Sequence, residues 1–237
     1  ARILKEKRPM AVFLENVKNL MHHQNGRTMK RIIEVLTDEL GYYVPKPQTI
    51  NAKEFGVPQN RERVFIIGFL NKKSADCFRY PSPLNDRKVF SDVKERNPVS
   101  VRYYLSEQYL EGLRNHKKRH QAKGHGFGYE IITDNSTANS IVLGGMGRER
   151  NLIIDNRLTD FTPITRIKGK VNREGIRRMT PREWARLQGF PDEFNLDAVS
   201  ITSAYRQIAN AVTIPAVHET GKMIINQLIR ANTSGNM

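Results

Sequence analysis

The chain has 237 residues, 38% hydrophobic and 27% charged, enough for one large domain or two small ones, and no apolar run reaches the eighteen or so residues of a membrane span. Its net charge of +15 exceeds what solubility requires and points to a polyanionic partner, nucleic acid above all; a solvated basic surface is the alternative. A single cysteine, Cys77, excludes an intrachain disulfide and fits a reducing cytoplasm, and the few histidines show no metal-ligand spacing, which argues against zinc.

In chain order, residues 10–17 read as a strand whose apolar start, Ala11 to Leu14, runs into Glu15 and Asn16. HHQNG (22–26) is a turn. The next stretch places Met29, Ile32, Ile33, Leu36 and Leu40 on one helical face, with Gly41 closing the helix. YYVPKPQTINA is an edge strand broken by Pro45 and Pro47. KEFGVPQNRE is a loop, and RVFIIGFL (63–70) is a buried strand. Strand, helix, strand, strand suggests the second half of a doubly wound α/β sheet.

From Tyr80 the texture changes. PSPLND is a linker, and SVRYYLSEQYLEGLRNHKKRHQ is a turn followed by a basic helix. Short β-runs with Gly-rich turns then extend to about residue 157. At MTPREWARLQGF a helix start is marked by Thr180 at the N-cap, Pro181 at N1 and Glu183 at N3. A last amphipathic helix follows Pro215, and the tail NTSGNM reads as frayed.

Three places carry chemistry. Glu15 ends a buried-strand pattern, and ligands of open α/β sheets sit outside the carboxyl ends of strands. A carboxylate there can act as a general acid, although spacing alone favours its capping the next segment or pairing with a surface arginine. Arg61 and Arg63 enter the second buried strand, and the guanidinium fork suits a phosphate or a base carbonyl, though surface charge explains an isolated RER as well. Asn210 lies among small residues in YRQIANAV, where a ligand can approach closely.

Taken in order, FLENV, FGVPQNRERVFIIGF, MTPREWARLQGFPDEF and AYRQIANAVTIP resemble the DNA cytosine-5 methyltransferases over nearly the whole chain. GHGFGYEII and GGMGRERNLIID are similar to the HpaII-type, CCGG-modifying branch of that family. The resemblance implies an α/β protein. It has a partial Rossmann-like, S-adenosylmethionine-dependent methyltransferase domain at 1–80 and a small, mostly β target-recognition domain at 81–194. The chain returns to the catalytic domain at 195–237.

The resemblance also implies roles. Glu15 would contact N3 and the amino group of a flipped cytosine, Asn16 would orient the strand end, and Arg63 would hold the cytosine O2 and steady Glu15. Arg61 would lie near the DNA backbone. Asn210 and Val212 would line the S-adenosylmethionine pocket, although Ala209 and Ala211 stand where the family often has Gly and Ser. Thr180 to Phe190 would brace the recognition domain. Arg148 and Arg150 would read guanine or, with equal weight, contact phosphate or solvent.

The Pro-Cys loop carrying the nucleophile and the Phe-x-Gly-x-Gly cofactor loop are absent from these residues, and Cys77 reads as an incidental thiol. The chain, which begins with Ala1, is therefore expected to be a truncated methyltransferase or one subunit of a split enzyme, inactive alone. Its partners would be double-stranded DNA and an N-terminal chain carrying the nucleophile, with no metal and no membrane. A DNA-binding module of methyltransferase-like fold without catalysis is the reading from another class.

Overall fold

The structure is a computed structural model that describes residues 1–126, 128–143, 147–164 and 167–233. In chain order the first elements are α1 (Arg2–Lys7), β1 (Ala11–Val17), α2 (Arg27–Glu34), β2 (Gln48–Asn51), β3 (Gln59–Asn60), β4 (Glu62–Phe69) and α3 (Lys72–Cys77). Next come α4 (Glu107–Ala122), β5 (Glu130–Ile132), β6 (Ala138–Asn139), β7 (Asn151–Ile154) and β8 (Ile176–Arg178). Three helices close the chain: α5 (Pro181–Leu187), α6 (Ile201–Asn210) and α7 (Ile214–Thr233). Residues 234–237 of the tail lie outside the described residues, as do Phe127 and residues 144–146 of the Gly-rich segments.

Two compact units form. One comprises 1–55, 62–85 and 215–237, the other 56–61 and 86–214. The stretch 195–214, read from sequence with the catalytic part, packs into the second unit. Tyr205, Ile208 and Ala209 of α6 share a core with Trp184, Ala185 and Leu187 of α5.

In the first unit β4 is central, flanked by β1 and β2, and both pairings are antiparallel. Alternation along β4 sends Val64 and Ile66 to one face, where with Val12 they pack on Leu36 and Leu40, at the end of α2 and its extension, and on Tyr42 just beyond it. Phe65, Ile67 and Phe69 go to the other, against residues of α7 such as Ala216 and Ile224. The apolar stretch of β4 from Val64 to Phe69 is thus covered on both faces. Gly68 is required by the fit: a Cβ there would stand 2.8 Å from Val12 Cγ1 and 3.4 Å from Tyr42 Cβ. Helix α2 follows the turn at Gln24, Asn25 and Gly26, all left-handed, and widens into a π-turn over Val35–Glu39. Gly41, at φ +69°, ends it as the sequence suggested.

The second unit has a three-stranded sheet, β5-β7-β8, and a two-stranded parallel pair of β3 with β6. Its strands are short, and the longest element in 81–194 is the 16-residue α4, capped by Ser106, whose side chain accepts from Tyr109 N–H. Leu110 and Leu113 seat α4 on Leu152 and Ile176. Helix α5 has the capping box read from sequence: Thr180 Oγ1 accepts from Glu183 N–H and Glu183 accepts from Thr180 N–H. Glu183 also binds Arg177, which is fully buried and pairs in addition with Asp155.

Candidate active site

Glu15 and Arg63 meet. In the antiparallel register Val17 faces Arg63 and Glu15 faces Phe65, so the acid and the arginine are diagonal neighbours on one face of the sheet. Arg63 Nε lies 3.0 Å from Glu15 Oε1, with both side chains mostly buried. Burial pushes the Arg63 guanidinium down from its usual range, and the Glu15 carboxylate opposes that fall. Arg63 Nη1 donates to its neighbour Glu62 O at 2.8 Å. Among the described residues neither Glu15 Oε2 nor Arg63 Nη2 has a hydrogen-bond partner. The pair therefore offers an acceptor and a donor side by side, held by one another. Asn16, on the opposite parity of β1, is exposed, and its Oδ1 accepts from Val17 N–H at 2.9 Å. It shapes the strand end and faces away from the pair.

Arg61 stands differently from its expected place beside DNA. It is 4% exposed. Its Nη1 donates to Ser140 Oγ at 3.3 Å and Ile141 O at 3.1 Å, and its Nη2 to Ala209 O at 3.3 Å and Ala211 O at 3.2 Å. A guanidinium whose two arms are occupied by protein acceptors presents neither arm to a phosphate, unlike the place beside DNA that the resemblance implies. Two positions along an unbroken strand share a face, yet Arg61 precedes β4 and belongs to the second unit while Arg63 belongs to the first. Sequence gave no sign of this split.

Asn210 is the last residue of α6 and Val212 follows it; Asn210 is exposed and Val212 is 38% exposed. An amide and an apolar side chain are offered together on a turn whose backbone is tied down. That combination fits part of a nucleoside-like ligand, with the amide for polar edges and the valine for an apolar face. Arg148 and Arg150 are both exposed. Arg148 lies over the Tyr205 ring at 5.7 Å, in a short helical turn begun by Gly147, where a Cβ would stand 2.2 Å from Val142 O. The intervening Glu149 is buried and accepts from Arg178 Nε at 2.5 Å. The RER sequence thus alternates outward cation, inward anion, outward cation. Cys77 is exposed at the end of α3. Among the described residues no group of three or more His, Cys, Asp or Glu is placed to hold a metal ion, and no helix is long and apolar enough to cross a membrane.

Sequence reasoning missed the buried polar set around Gln59 and Gln188, both fully buried. Glutamines in a loop and at a helix end carry no periodic signal, and only their tertiary partners make them legible.

Residues 1–226 match the family described as C-5 cytosine-specific DNA methylase. The chain is 58% identical over 228 residues to the type II methyltransferase M.HpaII of Haemophilus parainfluenzae, covering 96% of this chain and 63% of that protein. It is 38% identical over 230 residues to the type II methyltransferase M.SsoII of Shigella sonnei, covering 96% and 56%. The chain thus spans less than two thirds of the length of these relatives. Its fold is similar to that of the Entamoeba histolytica methyltransferase EhMeth, with a TM-score of 0.68 at 16% identity over 93% of this chain and 63% of that one. The S. pombe Dnmt2 methyltransferase is similar with a TM-score of 0.66 at 16% identity, over 93% and 67%.

Proposed function

Because this chain belongs to the C-5 cytosine-specific DNA methylases, we propose that it builds one part of an active site that methylates C5 of a cytosine extruded from duplex DNA. The observation that carries this reading is the Glu15–Arg63 pair, 3.0 Å apart and mostly buried, with one carboxylate oxygen and one guanidinium nitrogen left over. Those two groups match one edge of cytosine. Glu15 Oε2 holds a proton at N3 or accepts from the amino group, and Arg63 Nη2 donates to O2. Withdrawing electrons at N3 and O2 makes C6 electrophilic. Arg63 does two things at once: it fixes the Glu15 rotamer and places positive charge where the ring becomes negative.

S-adenosylmethionine, when bound, supplies the electrophilic methyl group. In this chain Asn210 and Val212 would hold part of it. The attacking thiolate lies outside these 237 residues: the one cysteine, Cys77, is exposed at the end of α3 and does not follow the proline that the family's nucleophile loop carries. The chain therefore acts with a further segment or partner chain carrying that thiolate, in the cytoplasm where thiols stay reduced. C5 and C6 are unreachable inside the stack, so the base must leave it, at a cost of about a few kcal/mol recovered in pocket and phosphate contacts. Similarity to M.HpaII supports CCGG as the site, read by exposed arginines such as Arg148 and Arg150.

The test is transfer of labelled methyl to CCGG-containing duplex by the chain alone and after addition of a family N-terminal half carrying Pro-Cys. Activity only in the mixture is expected. Turnover by the chain alone defeats the divided-site reading, and no turnover in the mixture defeats the methyltransferase reading. Glu15→Gln in the active mixture should remove at least about a hundredfold of turnover, on the scale of losing one transition-state donor or acceptor, with DNA binding kept. Unchanged turnover would leave a DNA-binding module.

A further inference from the structure

Four stretches far apart in sequence converge on Arg61 and two buried glutamines. Gln59 Nε2 donates to Leu187 O at 2.8 Å and Gln188 Oε1 at 3.2 Å, while its Oε1 accepts from Ile141 N–H at 3.0 Å. Gln188 Nε2 donates to Ile208 O at 3.0 Å and Ala211 O at 3.1 Å, and its Oε1 accepts from Thr213 Oγ1 at 2.9 Å. Backbone bonds join the same pieces: Ala138 N–H to Pro58 O at 2.8 Å and Ile214 N–H to Gln188 O at 2.9 Å.

The chemistry explains the choice of residues. The last turn of a helix leaves carbonyls without intrahelical donors and carries partial negative charge. At the end of α6 the Ala209 carbonyl is buried against protein and the Ala211 carbonyl partly so, which limits what water can supply. A guanidinium brings several donors and a full positive charge, and its planar fork lets one arm serve α6 while the other serves residues 140 and 141. Lysine has one compact head and cannot span both.

We infer that Arg61 is a positioning residue: it ties the exit of α6, which carries Asn210 and Val212, to the 138–141 segment, so that the two behave as one mechanical piece. That segment leads along the chain to the exposed arginines Arg148 and Arg150. A change at residues 140 and 141 would thereby reach the turn proposed to hold the methyl donor. The tie itself stands on hydrogen bonds; its bearing on methyl transfer rests on the function proposed above.

Amide hydrogen exchange on the 237-residue chain tests the tie without any activity. In the wild type the Ala138, Ile141, Ala211 and Ile214 amides should open together, with one dependence on low denaturant. In Arg61→Met all four should exchange at least about tenfold faster, with β7 protected as before and Trp184 fluorescence native. Acceleration confined to one segment, or none, overturns the inference. If Arg61→Met does not fold, the wild-type experiment decides: separate openings of the two segments overturn the tie. In the complemented enzyme, Arg61→Lys should raise KM for S-adenosylmethionine about tenfold or more with kcat within about threefold. A fall in kcat at unchanged KM argues against positioning. Absence of turnover in the wild type would count against the proposed function alone, since exchange still decides the tie.

Discussion

Replacing Arg177 by Met should be among the most damaging single changes in the second unit. Arg177 is fully buried; its Nε donates to Asp155 at 2.9 Å and its two terminal nitrogens donate to Glu183, each at 2.8 Å. Burial alone would pull the guanidinium down, but the carboxylates of Glu183 and Asp155 outweigh it and hold it above its usual range. Methionine fills much of the volume and leaves Glu183 as a buried anion without its cation; Asp155 keeps Arg157, whose Nε and Nη2 both lie 2.7 Å from it. Breaking a buried pair from one side costs about 3–5 kcal/mol. At 2–4 °C per kcal/mol for a domain of this size, that lowers Tm by roughly 6–20 °C. Trp184 is the only tryptophan, stacked edge-on against Tyr205 at 4.8 Å beside Glu183, so its fluorescence reports unfolding of this region directly. Arg177→Met/Glu183→Gln should recover at least about 1 kcal/mol of the loss, because glutamine keeps the capping box while removing the stranded charge. A single variant within about 1 kcal/mol of wild type, or a double variant whose loss is the sum of the two single losses, refutes the reasoning.

Further outcomes follow from the same geometry. Gly68→Ala should destabilise the first unit by about 1–3 kcal/mol in urea unfolding, because the new Cβ must displace Val12 or Tyr42 in a packed core; neutrality would mean the sheet yields there. Burial would raise the Asp155 carboxyl, but Arg157 and Arg177 outweigh it and hold it well below the usual range. Its folded pKa being depressed, its contribution is present above the unfolded value of about 3.9 and is lost as pH falls below it. Stability should thus drop from about pH 4 downward, and Asp155→Asn, weaker at pH 7, should show a flatter acid limb. Arg148→Gln or Arg150→Gln should weaken duplex binding. A phosphate contact would reduce the slope of log K against log salt by about one, whereas a base contact would cost roughly 1–3 kcal/mol on the preferred site alone.

Local order was legible in the residues themselves. The alternating and continuous apolar runs gave β1 and β4, the i, i+3, i+4 pattern gave α2, and Thr180, Pro181 and Glu183 gave the start of α5, because caps and periods are properties of neighbouring residues. Charge and composition pointed to a polyanion, and four ordered motifs pointed to the family. Partnership was decided only by the fold. The antiparallel register placed Glu15 against Arg63 when spacing alone favoured a helix cap or a surface arginine. Arg61 and Arg63, nearly identical as text, received opposite fates, one buried as a clamp on backbone carbonyls and one beside an acid. Sequence sets what each side chain can donate or accept, whereas burial and the nearest unpaired group, set by segments a hundred residues away, determine which of those bonds it makes.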